Sequence, residues 1–592
     1  MRNATSVPDR LVQVSAAILS LIYLTTGLAY LCLDYWSVTQ QDFWRIFDIC
    51  LNHSWLHSAI YKFNGHSLFF PSFIWLADLR FFHGIQTMIF GASLVLLLLS
   101  TALLLLPIWK DRTIDRTTKT LATLTIVGVS FWMGRASITT SGGFNCMASF
   151  VMLGVAWAFL LLPKLAAAQP QSWRTDALVV FAGFVASFSF GTGLAIWPCL
   201  LFLGWSMRLP WRTLGLLTAG ALGAGLIFRF LPPHIAASSL IPPGASLGPL
   251  MLEALRDFCR LLGAPLLYCT TAWQGRQIST EMIQSSRWLL WSGAAGLLLA
   301  TALAIKHLLH RDLLDKKLTA IGLGLMIFNL ASLLLVVMGR LAYFRELPDQ
   351  IAAPRYWFWS ALFWAGLILV VLDLGTRRAW LRWPGIALAL AAPLVGWQGH
   401  REEGIHWRYS KLLSEESATG LINGVRDPQR LLFREIDQIN ILAPQLRAHR
   451  LDMFASGFQD WIGQPVTAIF KGGRVKRGLR GKAAIEYISD GPDRENAVRV
   501  VGQISPGKHE VPPTMVILNS QNAVVGVARS FYTSDLFNWL LFDNRISRAP
   551  FRGYIREYHK GEQYTLRSVN RQQVSEEAIQ IADPAPNPKP EG

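Results

Sequence analysis

The sequence predicts a polytopic α-helical membrane protein of about eleven transmembrane helices with a C-terminal soluble, mostly-β domain of sandwich type. Three observations lead there. The 592 residues have a positive mean hydropathy of +0.33, and only 16% of them are charged. Long apolar stretches recur through the first 400 residues and then stop. Beyond Val466 the apolar period shifts toward two, as in strands with one buried face.

A helix needs about 20 apolar residues to cross the hydrocarbon core. Spans of that kind fall at 11–34, 86–108, 118–134, 147–163, 175–188, 189–206, 213–231, 286–308, 318–340, 355–374 and 384–399. The fifth and sixth are short. The stretch from Ser187 to Gly193 reads either as a tight turn between them or as a break in one longer helix. The first span has a basic flank and no small-residue cleavage site, so it reads as an uncleaved signal anchor.

The net charge of +17 would suit a nucleic-acid binder, but its distribution excludes that class. Lys110, Arg112, Arg116 and Lys119 share one loop, and Arg208 and Arg212 share another. Lys306, Arg311, Lys316 and Lys317 form a third group, and Arg377, Arg378 and Arg382 a fourth. These are alternate loops, as the positive-inside rule requires of cytoplasmic ones, and Arg2 and Arg10 place the N-terminus with them. The loop 35–85, the region 232–285, the loop 341–354 and the C-terminal domain then lie outside. The organisation expected is a membrane domain over 1–399, a helical connector over 400–455, a β-rich domain over 456–582 and a disordered tail over 583–592.

Within the first outer loop, Phe43 to Leu51 suits a helix lying in the interface, and Asn64-Gly65-His66 a turn. Residues 250–272 have helical spacing but carry Glu253, Arg256, Asp257 and Arg260, too many charges for a lipid-facing span. In the β-rich part, 497–501, 514–518 and 524–528 read as strands, with a hairpin turn at Asn519 to Asn522. Tyr554 to Tyr558 and Tyr564 to Leu566 read as a second hairpin about Lys560-Gly561.

Four groups could carry chemistry. Asp42 sits in the first outer loop, where a carboxylate could deprotonate an acceptor hydroxyl as a lipid-linked sugar emerges from the bilayer; the plainer reading is a solvated interfacial residue. Asp34, Asp48 and Asp78 are the other acids there. Arg340, Arg345 and Arg355, the last followed by Tyr356, break the positive-inside trend. Either they hold a phosphate leaving group through guanidinium forks, or they snorkel to lipid headgroups. His53 and His57 share a helix face, which fits a metal site and equally a structural aromatic stack, so a divalent metal stays open and no metal ligand is fixed. Ser141 to Asn145 reads as a turn that could approach a ligand closely. Cys259 and Cys269 share an outer segment, either as a disulfide or, the better fit, as two thiols on an apolar helix face. No Walker, nucleophile-elbow or Rossmann motif is present.

These residues resemble those of the GT-C superfamily of polytopic glycosyltransferases, and in particular a largely uncharacterised bacterial group. The resemblance rests on Asn64-Gly65-His66-Ser67, Phe70-Pro71, Leu76-Ala77-Asp78, Ser189-Phe190-Gly191 leading into Trp197-Pro198, and Arg355-Tyr356. Gly65 and Ser67 depart from the group's pattern, which has an acid and an arginine there. The resemblance implies an inverting transfer of sugar from a polyprenyl-phosphate donor to an envelope glycan or lipid, such as a polysaccharide or lipopolysaccharide intermediate. It implies a bacterial inner membrane, a periplasmic active site and a periplasmic C-terminal domain that guides the acceptor. Asp42 would be the base, His66 and Asp78 would shape the site, and Arg340, Arg345, Arg355 and Tyr356 would bind the phosphate. The rival classes are a transporter or flippase of lipid-linked glycans, a non-catalytic scaffold with a binding domain, and a membrane acyltransferase. Few charges inside the spans and no internal repeat argue against the transporter.

Overall fold

The computed structural model describes residues 7–33, 37–39, 43–135, 145–167, 173–233, 247–276, 278–430, 436–472, 474–475, 480–489, 493, 495–505, 514–530, 549–570 and 573–582. They form two compact units whose segments alternate along the chain: 1–32, 52–76 and 88–404 in the first, 33–51, 77–87 and 405–592 in the second.

The segment after the first apolar helix contributes three short helices and a hairpin. After α1 (Val7–Leu33) come α2 (Phe43–Asn52), α3 (Trp55–Ile60), the strands β1 (Lys62–Phe63) and β2 (His66–Ser67), and α4 (Phe69–Phe81). The expected turn at Asn64-Gly65 closes the hairpin, with both residues in the left-handed region. Then follow α5 (Thr87–Lys110), α6 (Arg116–Phe131), α7 (Asn145–Ala167), α8 (Trp173–Ser187), α9 (Ile196–Ser206), α10 (Trp211–Phe230) and α11 (Leu247–Trp273). The helical set ends with α12 (Thr280–Ser285), α13 (Arg287–His310), α14 (Lys317–Glu346), α15 (Pro354–Arg377), α16 (Ala379–Ile422), α17 (Ile436–Ala448) and α18 (Val466–Ile469).

Among the described residues eight helices are long and apolar enough to cross a membrane: α1, α5, α7, α10, α13, α14, α15 and α16. The sequence count of eleven is not reached. The stretches at 118–134, 175–188 and 189–206 are helical, but α6, α8 and α9 run to only 16, 15 and 11 residues. The open question at Ser187–Gly193 resolves as a break: α8 ends at Ser187, a 3-10 turn spans Gly191–Ala195, and α9 starts anew. Trp197 of α9 reaches back across it, donating from Nε1 to Ser187 Oγ at 2.8 Å.

Packing inside the first unit relies on close backbone approach. A Cβ on Gly322 of α14 would meet the Gly366 carbonyl oxygen of α15 at 2.6 Å, and one on Gly366 would meet that of Gly322 at 2.5 Å. Small residues at a crossing let apolar helices gain dispersion contacts where lipid removes the usual hydrophobic drive. A buried histidine adds polar stitching. His400 Nδ1 accepts from Met133 N at 3.0 Å, which leaves Nε2–H to donate to Thr26 Oγ1 at 2.9 Å, so α1 and the 3-10 turn after α6 are held to α16. The basic loops meet in pairs: Lys317 with Asp111 at 3.2 Å, Arg208 with the Arg311 carbonyl at 2.9 Å, Arg382 with Asp9 at 2.5 Å.

The second unit holds the β-domain: β3 (Arg474–Val475), β4 (Arg480–Tyr487), β5 (Val498–Ser505), β6 (Thr514–Leu518), β7 (Val524–Ser530), β8 (Ala549–Ile555), β9 (Thr565–Asn570), β10 (Gln573–Ser575) and β11 (Ile579–Ala582). The sheet order is β11-β4-β5-β8-β7-β6-β9-β10-β3, and β11 also pairs with β9. That pairing closes a seven-stranded ring, so the domain is a barrel and not the expected sandwich. Closure removes the sheet edges that two open sheets would leave. The expected hairpin about Lys560-Gly561 is also corrected. β8 pairs with β5 and β7, whereas β9 pairs with β6, β10 and β11. Only the hairpin about Asn519–Asn522 forms as read, joining β6 to β7. Strand β6 is buried on both faces. Met515 and Ile517 pack with Val500, Phe551 and Leu566, while Val516 and Leu518 pack with Val466 of α18, Phe470 and Val569.

Candidate functional site

Four of the seven candidate residues come together in the first unit, at the end of α14 away from its lysine-rich start. Lys317 and Arg340 lie 23 positions apart on one helix, about 35 Å at 1.5 Å per residue. Arg340 places its guanidinium 5.7 Å from the Tyr343 ring centre. Arg355, in the first turn of α15, lies 5.9 Å from that ring and 5.0 Å from the ring of Tyr356. Its Nη2 donates to Gln350 Oε1 at 2.7 Å and to Tyr343 Oη at 3.3 Å. Pro354 at the start of α15 and the 3-10 turn Pro348–Ala352 fix where this arginine leaves the backbone.

His66 faces the same cluster from the β1–β2 hairpin. Its ring packs 4.3 Å from that of Phe190, and a Cβ on Gly191 would sit 2.5 Å from Nδ1. Only glycine allows that approach without displacement. Burial, and then the Arg340 charge, push the imidazole down to about 3, so His66 is neutral at physiological pH. A base that weak suits a neutral hydrogen-bonding role better than proton abstraction.

Among the described residues, His66 Nδ1, Ser67 Oγ, Thr192 Oγ1 and Asn329 Oδ1 are buried without a hydrogen-bond partner. Thr192 belongs to the turn that carries Gly191, and its carbonyl accepts from Ser332 Oγ at 3.3 Å. Asn329 lies one turn before Ser332 on α14. Buried polar atoms of this kind call for an explanation, and a bound polar group is one. Among the described residues no carboxylate pairs with Arg340.

Arg345 is placed differently. It forms a bidentate pair with Glu253 of α11, its Nε 3.0 Å from Oε1, and those hydrogen bonds hold the Glu253 carboxyl below its usual range. Its fork is thus taken up within the protein. Asp78 falls in the second unit, fully buried on α4, and its Oδ2 accepts from Gln86 N at 2.8 Å. Asp42, Asp34 and the stretch 141–144 lie outside the described residues. His53 and His57 form an aromatic stack, 4.5 Å apart with Tyr61 against His57. Among the described residues no cluster of three or more His, Cys, Asp or Glu gathers to bind a metal. All six cysteines are free, Cys259 and Cys269 lying buried on α11.

The sequence did not point to Tyr343, Gln350, Thr192 or Asn329. Asn329 carried a usable signal, being an amide within a strongly apolar span. The first unit also contains an apolar cavity of about 130 Å³, lined in part by Tyr23, Thr125, Trp132, Leu266, Ala365 and Pro393.

No protein-family model, no curated protein and no solved structure matches this chain.

Proposed function

We propose that this protein is an integral-membrane glycosyltransferase that moves a sugar from a polyprenyl-phosphate donor to a cell-envelope acceptor on the outer face. The observation that carries this reading is the convergence of Arg340, Arg355, Tyr356 and neutral His66 at one end of the apolar helices. Two guanidinium groups on aromatic faces suit a phosphate whose charge grows as the sugar departs. The apolar cavity of about 130 Å³ in the same unit has a lining that suits a short isoprenoid segment. In the transfer, the bond from sugar C1 to the phosphate oxygen breaks. The acceptor oxygen bonds to C1 from the opposite side and loses its proton to Asp42, and polyprenyl phosphate leaves against the arginines. Arg345 is left out of that set because Glu253 occupies it.

The test uses purified protein in liposomes with radiolabelled polyprenyl-phosphate sugars and a membrane extract as acceptor. Label should enter a new product with wild type and fall at least a hundredfold with Asp42→Asn, a loss on the scale general-base catalysis supplies, about 10²–10⁴-fold. Transfer by both proteins would move the base elsewhere. Absence of transfer from every donor would sink the glycosyltransferase reading and favour a flippase or scaffold.

A further inference from the structure

A polar path leads along α14 away from the arginine cluster, within the first unit. Asn329 and Arg340 lie eleven positions apart on that helix, about three turns, so they share one face at a separation of about 16 Å. Ser332, one turn beyond Asn329, donates from Oγ to the Thr192 carbonyl at 3.3 Å and fastens α14 to the 3-10 turn Gly191–Ala195. In that turn, a Cβ on Gly191 would lie 2.5 Å from His66 Nδ1, and the Arg340 charge acts on the same imidazole. Three stretches distant in sequence thus meet around one turn: the hairpin at His66, the break between α8 and α9, and the 329–340 face of α14.

Three side-chain atoms along this path are buried without a hydrogen-bond partner among the described residues: His66 Nδ1, Thr192 Oγ1 and Asn329 Oδ1. Asn329 is fully buried, and Thr192 is 3% exposed. Asn329 Nδ2 donates to the Leu325 carbonyl at 2.7 Å, so the amide is anchored and its oxygen is what it offers. The Thr192 hydroxyl can both donate and accept. Such atoms are costly in apolar surroundings unless a polar partner meets them. The segments 62–67, 188–195 and 325–343 contain no acidic residue. Of their two basic residues, Lys62 donates to the Phe228 carbonyl at 3.2 Å, which leaves Arg340 as the cation at the head of the path. A polar but uncharged set of this kind matches a ring of hydroxyl groups, each able to donate to an amide oxygen and accept from a hydroxyl. An ammonium would meet the Arg340 charge there, with no carboxylate from these segments to offset its desolvation.

We propose that Thr192 and Asn329, together with His66, bind the sugar ring of the donor through its hydroxyl groups, and that this pocket selects an uncharged sugar over an amino sugar. The identity of the donor rests on the glycosyltransferase reading. A site built to hydrogen-bond a hydroxyl rejects an analogue that cannot supply it, because the site's own buried groups are then left unpaired.

The experiment titrates purified full-length protein in nanodiscs with radiolabelled lipids: polyprenyl phosphate, a set of its uncharged hexosyl and pentosyl esters, and their amino-sugar counterparts. An uncharged ester should bind at least tenfold tighter than bare polyprenyl phosphate, and its amino counterpart no tighter than the bare lipid. Thr192→Val, which keeps shape and removes only the hydroxyl, and Asn329→Leu should each cut that advantage at least threefold. Affinity for bare polyprenyl phosphate should stay as in wild type, which damage to the fold would not spare. Thr192→Val serves alone if Asn329→Leu does not fold. The pocket is overturned if no uncharged ester outbinds the bare lipid, if an amino sugar is preferred, or if the folded variants keep the full advantage. The liposome transfer assay separates this inference from the reading beneath it. Transfer without a ring advantage sinks the pocket alone, whereas a ring advantage without transfer sinks the glycosyltransferase and keeps the pocket on a carrier of lipid-linked sugars.

Discussion

His66 shows how one residue's surroundings set its chemistry. Its ordinary value of 6.5 falls to about 3 on folding, through burial and the Arg340 charge. Above pH 6.5 folded and unfolded chains both hold it neutral. Below that value the unfolded chain takes up a proton that the folded one refuses until about pH 3, so stability is lost as the pH falls through this window. His66→Gln keeps a polar side chain without the titration. The variant should lose less melting temperature than wild type between pH 7.5 and pH 5, measured by thermal unfolding in detergent. An identical loss in both proteins would rule out His66 as a source of the acid sensitivity. The Asn64-Gly65-His66 turn was legible because its residue types demand a left-handed backbone. The approach of Gly191 to His66 was not, since it joins positions 125 apart in the chain.

At the scale of elements, the barrel is fixed to the connector that leads into it by buried polar contacts that no local pattern announces. Asn423, just past α16, accepts from Val527 N at 2.7 Å and donates to the Val527 carbonyl at 3.0 Å, mimicking a neighbouring strand. Asp427 accepts from Arg499 of β5, with Nη2 at 3.0 Å, and from Tyr554 Oη of β8 at 3.0 Å. Arg499 is buried and also meets Gln429. Removing one partner of such a pair strands the other charge, at a cost of about 3–5 kcal/mol. Arg499→Met should therefore lower the unfolding free energy of the C-terminal unit by that order, read from the shift in its denaturant midpoint. A change below about 1 kcal/mol, the level of an exposed pair, would show that the contact contributes little. The strands β5, β6 and β7 could be read from their alternation, but the partners of β8 and β9 could not. Alternation tells which face is buried and says nothing of which strand lies alongside.

At the scale of the molecule, the division of the chain does not follow a single cut near residue 400. Segments 33–51 and 77–87 group with residues 405–592, through contacts such as Thr39 N to Asp452 and Asp452 N to the His83 carbonyl. A chain ending at 404 would lose those partners and the last 18 residues of α16 while keeping the other seven long apolar helices. Limited proteolysis should cut the truncated protein within 33–51 or 77–87 at protease levels that leave the full-length chain intact there. Equal resistance in both would show that these segments are held without the C-terminal residues.

What the sequence determined by itself is what local physics dictates: eight of the eleven expected apolar spans, found among the described residues as long helices, and a shift to strand period beyond Val466. Each follows from the solvent a segment must face. The tertiary structure alone decided which short helices pair across a break, that the strands close into a barrel, and that Arg340 neighbours His66 and shares the Tyr343 ring with Arg355 while Arg345 turns to Glu253. Those outcomes depend on contacts between residues far apart in the chain. Hydropathy and spacing do not encode which distant partner a buried polar group will find.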